Sequence, residues 1–407
     1  MSTLACRSCG ARLEHTFADL GESPLANAFQ RPGQPHEKRY PLHARVCAQC
    51  LLVQLPAVES PETLFRDYVY YSSYSDTWLR HAERFAAEAV ARFGLGPRSL
   101  VLEVASNDGY LLQYFLARGV RVLGVEPAAT VAAAATAKGI PTLVHYFGTA
   151  SAREIVAAHG QADLLVANNV LAHVPGLNDF VAGLAAALKP SGTLVLEWPH
   201  VLNLIRENQF DTIYHEHFSY FSLLSVEPLF ARHGLSVIDV EQLPTHGGSL
   251  RIFAVHAATG RARASVTEVR ELERRRGLDR LDTYTAFGER PPRTREKLLE
   301  FLRTARAAAK HVAGYGAAAK GNTLLNYCGV DSALVAFVAD RNPHKQGLLL
   351  PGSRIPVVAP EALRQARPDY VLVLPWNIAD EITAKLAFVR DWGGRFVVPV
   401  PEPRVLT

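Results

Sequence analysis

Ser99-Leu100-Val101-Leu102-Glu103-Val104-Ala105-Ser106-Asn107-Asp108-Gly109 runs without a break from a Val- and Leu-rich segment into a turn of small and polar residues. A short apolar run that ends in turn residues predicts a buried strand. Three more such runs follow at 120–125, 162–167 and 192–197, separated by Ala- and Leu-rich stretches of helical length. Strands of this kind alternating with helices predict an α/β unit, a parallel sheet covered on both faces. Glu126-Pro127 closes the second strand, about twenty residues after the first turn, where an acidic side chain accepts ribose hydroxyls in a doubly wound sheet. Glu103, Ala105, Ser106, Asn107, Asp108, Gly109, Glu126 and Pro127 are therefore candidate nucleoside contacts.

Two features favour S-adenosylmethionine (SAM) over a dinucleotide. The loop is not GxGxxG: Ala105 stands at the usual first glycine, and Asn107-Asp108 put side chains where a pyrophosphate needs bare backbone. A later strand also ends in Asn168-Asn169-Val170-Leu171-Ala172-His173. This position makes Asn168, Asn169 and His173 candidates for the adenine and methionine ends. An NAD-linked sugar oxidoreductase remains the rival enzyme, and a zinc-bearing interaction protein the rival without chemistry.

Outside this unit, Cys6, Cys9, Cys47 and Cys50 form two C-x2-C pairs among short alternating stretches, and Cys328 stands apart. Each pair sets two thiolates on one turn, and two pairs complete a tetrahedron. The spacing predicts a small β domain, residues 1–65, around a structural zinc ion with no open position for chemistry. A Tyr-rich connector and a helix near 76–94 lead into a unit ending near 258. Residues 263–310 predict a helical pair broken near 288–292. Beyond them a second Rossmann-like unit begins, with strands at 311–316, 334–338 and 370–374.

Tyr214-His215-Glu216-His217-Phe218-Ser219-Tyr220 is the densest titratable cluster. An extended chain would turn Glu216 away from both histidines, whereas a helical turn would gather Tyr214 and His217. The cluster reads as a general base with its partners, or as a hydrogen-bonded aromatic patch. Polar groups at other strand ends are Glu197 and His200, His246-Gly247-Gly248 and Arg251. The glycines suggest either close backbone approach to a ligand or an ordinary hairpin turn. The loop Gly314-Tyr315-Gly316-Ala317-Ala318-Ala319-Lys320 opens a helix, and its N–H groups with Lys320, or Lys345, suit a diphosphate.

The 407 residues are 48% hydrophobic and 20% charged, with net charge +4, a balance suited to several packed domains. No dense basic face suggests nucleic acid, and no apolar run is long enough to span a membrane. The N-terminus lacks a secretory pattern, so the expected location is cytoplasmic.

Together these motifs resemble the nucleotide-sugar C-methyltransferases of antibiotic deoxysugar pathways, such as the tetronitrose C-3' methyltransferase and the mycarose and evernitrose enzymes. The resemblance runs over nearly the whole chain. It rests on the paired C-x2-C head, Tyr68-x-Tyr70-x-Ser72-Ser73, the loop at 103–109, Glu126-Pro127, Tyr214-His215-Glu216-His217, His246-Gly247-Gly248, and 314–320 with Asn326. It implies zinc, SAM and sugar-binding domains in that order, and methylation of the carbon beside the keto group of a dTDP-4-keto-deoxysugar. It implies His217 as the base, supported by Glu216 and Tyr214, with Tyr68 or Tyr70 in the same site. Glu197, His200, His246, Gly247, Gly248, Arg251, Lys320, Asn326 and Lys345 are then sugar-nucleotide candidates. The sequence leaves O- and N-methylation open, and the expected state is a monomer or weak homodimer.

Overall fold

A computed structural model describes residues 4–65 and 71–406. Its first sheet pairs β1 (His15–Pro24) with β2 (Arg39–Val46), antiparallel. Next to β2 lies β3 (Val53–Gln54), and the later pair Ser219–Tyr220 closes the edge. The two C-x2-C segments fold into two copies of one turn: Gly10 N–H donates to the Cys6 carbonyl and Leu51 N–H to the Cys47 carbonyl. Gly10 and Leu51 both take positive φ, 78° and 56°. Glycine adopts that conformation freely, while Leu51 is held there with strain.

The second sheet holds β4 (Leu100–Val104), β5 (Arg121–Val125), β6 (Thr142–Leu143), β7 (Ala162–Asn168) and β8 (Leu188–Pro199). With Ser219–Tyr220 as β9, the hairpin β10 (Leu235–Leu243) and β11 (Ser249–His256) completes the order β10-β11-β8-β7-β4-β5-β6. Strands β4 to β8 are parallel to one another, and β11 lies antiparallel to β8. The strand order reverses beside β4, the position where doubly wound sheets bind ligands, at the C-terminal ends of β4 and β7. The helix Asp76–Phe93 covers one face. The Ser75 hydroxyl caps it by accepting from Trp78 N–H, and left-handed Gly94 stops it.

The third sheet comprises β12 (Val312–Tyr315), β13 (Val338–Ala339), β14 (Val357–Val358), β15 (Tyr370–Val373), β16 (Arg395–Val398) and β17 (Arg404–Val405). They lie in the order β14-β13-β12-β15-β16-β17, and only β17 is antiparallel. The strand expected at 334–338 is displaced to Val338–Ala339. Asp331 captures Ala333 N–H with its side chain, and Leu334 and Val335 N–H with its carbonyl, so those residues turn instead. The helical break expected near 288–292 is the 3₁₀ turn Ala286–Glu289, which separates Leu281–Thr285 from Arg290–Ala307, and a second break falls at 276–280. Pro291 and Pro292 occupy the first turn of the helix Arg290–Ala307, where their missing N–H groups cost nothing.

The sheets do not stack as separate beads. Phe17, Leu20 and Leu42 of the first share one core with Leu298, Leu302, Leu324 and Val338 of the C-terminal unit. The boundary expected at 65 therefore divides the chain but not the packing. Among the described residues no helix is long and apolar enough to cross a membrane.

Candidate active site

At the knuckles, the Cys6 and Cys50 sulfurs lie 3.5 Å apart, as do those of Cys9 and Cys47. All four fall within 4.8 Å of one another. Four sulfurs around zinc at ~2.3 Å stand ~3.8 Å apart, so the cluster fits a structural zinc ion that fills its shell with protein thiolates. The Gln54 side chain donates to the Cys6 sulfur at 3.2 Å, an outer-shell bond that steadies a ligand.

The loop after β4 holds two non-glycine residues at positive φ, Ala105 (57°) and Asn107 (49°), with Gly109 at 76°. A Cβ on Gly109 would come within 2.3 Å of the Ile140 side chain, so glycine is required there twice over. The Glu126 carboxylate accepts from Asn107 N–H at 3.0 Å and Ala128 N–H at 2.9 Å, which fixes it at the end of β5. Burial pushes its pKa up. Glu103 is raised well above the usual range, first by burial and then by the charges of Glu126 and Asp108. Glu103 Oε2, Asp108 Oδ1, Asn168 Oδ1 and Asn169 Oδ1 are buried without a hydrogen-bond partner among the described residues. These orphans are oxygens of two carboxyl groups and two amides, with the Glu126 carboxyl beside them. They fit a ligand that brings cationic and hydroxyl donors, as SAM does with its ammonium, sulfonium and ribose, and they would repel a pyrophosphate. Pro127 follows Glu126, half-buried.

The connector docks on this loop. Asn107 Oδ1 accepts from Ser72 N–H at 2.8 Å, and Lys138 donates to the Ser73 hydroxyl and to Asp108. Tyr68 and Tyr70 lie outside the described residues.

Residues 214–217 form a turn, with His217 N–H bonded to the Tyr214 carbonyl at 2.8 Å. The gathered alternative is thus the one the chain adopts. Tyr214 and His217 rings pack tilted with centroids 4.0 Å apart, and the Tyr214 hydroxyl lies 2.8 Å from His217 Nε2. His217 Nδ1 is 2.8 Å from the Thr212 carbonyl, which only accepts, so Nδ1 carries the hydrogen and Nε2 the lone pair. Burial and neighbouring His173 hold the His217 pKa well below its usual value, and it is neutral at pH 7. His173 packs edge-on at 4.7 Å and donates from Nδ1 to the Glu216 carbonyl. The expectation that Glu216 orients His217 is corrected: its carboxylate accepts from the Asn27 amide at 2.7 Å and feels Lys345, while Thr212 orients the ring.

A chain of contacts links this turn to the C-terminal unit. Lys320 lies 4.6 Å over the Trp376 ring and acts electrostatically on His217 and His246. Trp376 Nε1–H donates to buried Asp211 at 2.6 Å, next to Thr212. His246 packs 5.0 Å from Trp78, which in turn stacks near Tyr110. Tyr214, His217, His173, His246, Lys320, Lys345, Trp376 and Trp78 are all half-buried.

Other candidates are engaged by protein partners. Buried His200 bonds Glu273 at 2.7 Å, and Glu273 also takes Leu223 and Leu224 N–H. Glu197 is enclosed by Arg251 and His81. Asn326 pins its helix to the Pro351 carbonyl. The glycine pair makes room for protein: a Cβ on Gly247 would meet Trp376 at 2.7 Å, and one on Gly248 would meet Asn203 at 2.3 Å. Sequence reasoning missed Asn27, Trp78, Asp211, Thr212 and Trp376. Trp376 alone carried a signal, since it follows a strand end.

Residues 6–65 match a family described as a zinc binding domain, 78–240 a methyltransferase domain, and 244–401 a C-methyltransferase C-terminal domain. The chain is 40% identical over 405 residues to C-methyltransferase NovU of Streptomyces niveus, across 99% of this chain and 96% of that protein. It is 29% identical over 126 residues to a ubiquinone biosynthesis O-methyltransferase of Rhodopseudomonas palustris, across 28% of this chain and 49% of that one. Among solved structures, the magnesium protoporphyrin IX methyltransferase of Synechocystis PCC 6803 aligns with a TM-score of 0.38 at 15% identity, over 48% of this chain and 99% of that one.

Proposed function

The chain belongs to the C-methyltransferase family, and from that premise we propose that this SAM-dependent enzyme methylates C-3, beside the keto group, of a dTDP-4-keto-deoxysugar in natural-product biosynthesis. The observation that carries this reading is His217, a neutral imidazole whose Nδ1–H is committed to a carbonyl and whose Nε2 presents its lone pair to the Tyr214 hydroxyl. A hydrogen beside a ketone is acidic enough for such a base when the enolate is stabilised.

Bound SAM supplies a methyl group on a sulfonium, an electrophile that needs no activation by the protein. His217 Nε2 takes the proton from the carbon beside the ketone, and the Thr212 carbonyl holds the resulting imidazolium in place. The burial that depresses His217 in the free enzyme is offset at that moment by the negative enolate alongside. The Tyr214 hydroxyl rests on Nε2 until substrate displaces it, and it then donates to the enolate oxygen. Tyr68 or Tyr70 supplies a second donor. Lys320 and Lys345, both with pKa values lowered by burial, are the cations that would take the charge of a diphosphate. The zinc, with four thiolates, takes no step.

Glu216 gives the reaction its acid limb. Burial raises its carboxyl to about 7, so it protonates as pH falls through neutrality. His217 is held well below 6.5 and does not titrate in that window. We expect kcat/KM to fall below about pH 7 and Glu216→Gln to lose that limb. A limb unchanged in the variant would assign it to another group.

Incubation of SAM with a panel of dTDP-4-keto-deoxysugars, with mass and NMR readout, tests the function. The expected product carries a new carbon-bound methyl beside the ketone. A methyl on oxygen or nitrogen, or no product across the panel, would overturn the reading.

A further inference from the structure

The strand β1 ends at Pro24, and the chain that follows does not return at once to its own sheet. It runs between the other two units. Asn322 of the C-terminal unit donates to the Ala26 carbonyl at 2.6 Å. Phe29 lies 5.1 Å under the Lys345 ammonium. Gln30 exchanges two backbone hydrogen bonds with Leu349, at 3.2 and 2.7 Å. Held by these three ties, Asn27 places its amide 2.7 Å from Glu216 Oε2.

We propose that Asn27 is a positioning residue of the reaction, carried into the active site by the zinc domain to hold the Glu216 carboxylate opposite Lys345. The inference rests on the reading of the cleft around His217 as the methylation site. Every group that faces Glu216 from a packed element favours its ionised form. Asn27 of the N-terminal loop donates its side-chain amide, and Lys345 of the C-terminal unit offers positive charge. A buried carboxylate supplied with donors alone is arranged as an acceptor. Its fixed oxygens can then receive a polar hydrogen of the sugar, a hydroxyl or ammonium on the ring.

Asn27→Asp keeps the shape, removes the two amide hydrogens and sets a second carboxylate beside Glu216. Its acid limb in kcat/KM is expected to move to higher pH, with turnover at pH 7 reduced about tenfold, and with zinc content and S-adenosylhomocysteine affinity as in the wild type. Asn27→Ser, which adds no charge, should shift the limb less. A purely structural Asn27 would alter melting temperature and leave the limb where it is. Superimposable pH profiles for both variants, with His217→Asn inactive, would overturn the proposal. Full activity in His217→Asn would overturn the reading of the site instead. If Asn27→Asp does not fold, the serine variant alone decides by the same profile.

Discussion

His217→Asn is expected to lower turnover by about 10² to 10⁴ while leaving S-adenosylhomocysteine affinity unchanged. The amide can still donate toward the Thr212 carbonyl that His217 Nδ1 now faces, so the turn at 214–217 should survive. What it cannot do is take a proton at neutral pH. The same variant should fail to exchange the substrate C-3 hydrogen with deuterated solvent, because exchange requires the base but not the methyl donor. Persistent exchange with no methylation would mean that another group removes the proton. Tyr214→Phe is a milder change, since it spares Nε2 and removes only the hydroxyl that rests on it.

Zinc removal should be as severe, through structure and not through chemistry. A site of four thiolates stabilises its fold by an apparent ~10–16 kcal/mol at pH 7, and the knuckles here close the end of the first sheet. That sheet includes Ser219–Tyr220, two residues past His217, and shares a core with the helix Arg290–Ala307. Strong chelation, or Cys47→Ser, is expected to abolish turnover and lower the melting temperature, with loss of one zinc per chain by elemental analysis. Because the ligands must be thiolates, the metal should leave more readily as pH falls. A metal-free protein with full turnover would show that the sheet stands without its clasp.

The parts of this molecule that could be read from sequence are those whose partners are near in the chain. The loop at 103–109 meets Glu126 within one β-α-β unit, and each C-x2-C pair makes its own turn. The turn at 214–217 was one of two stated possibilities, and its hydrogen bond spans three residues. Asn27 and Glu216 are 189 residues apart, and Trp376 and Asp211 are 165 apart. No periodicity or spacing reports such meetings, because they depend on how finished sheets pack. The same limit explains Glu216. Its neighbours in sequence are the histidines, but its neighbour in space is an amide from the far end of the chain. His200 and Arg251 looked available for the opposite reason: their carboxylate partners, Glu273 and Glu197, could not be matched to them from the sequence.

Strand β9 belongs by sequence to the middle of the protein and by hydrogen bonding to its beginning. Anyone building chimaeras between relatives would meet this as a rule of inheritance. Exchanging residues 1–65 alone would graft a foreign β3 against a resident β9 and set a foreign Asn27 against a resident Glu216. The heritable unit of the first sheet is therefore discontinuous: the N-terminal segment must travel together with the stretch from Thr212 to Tyr220, whatever lies between them.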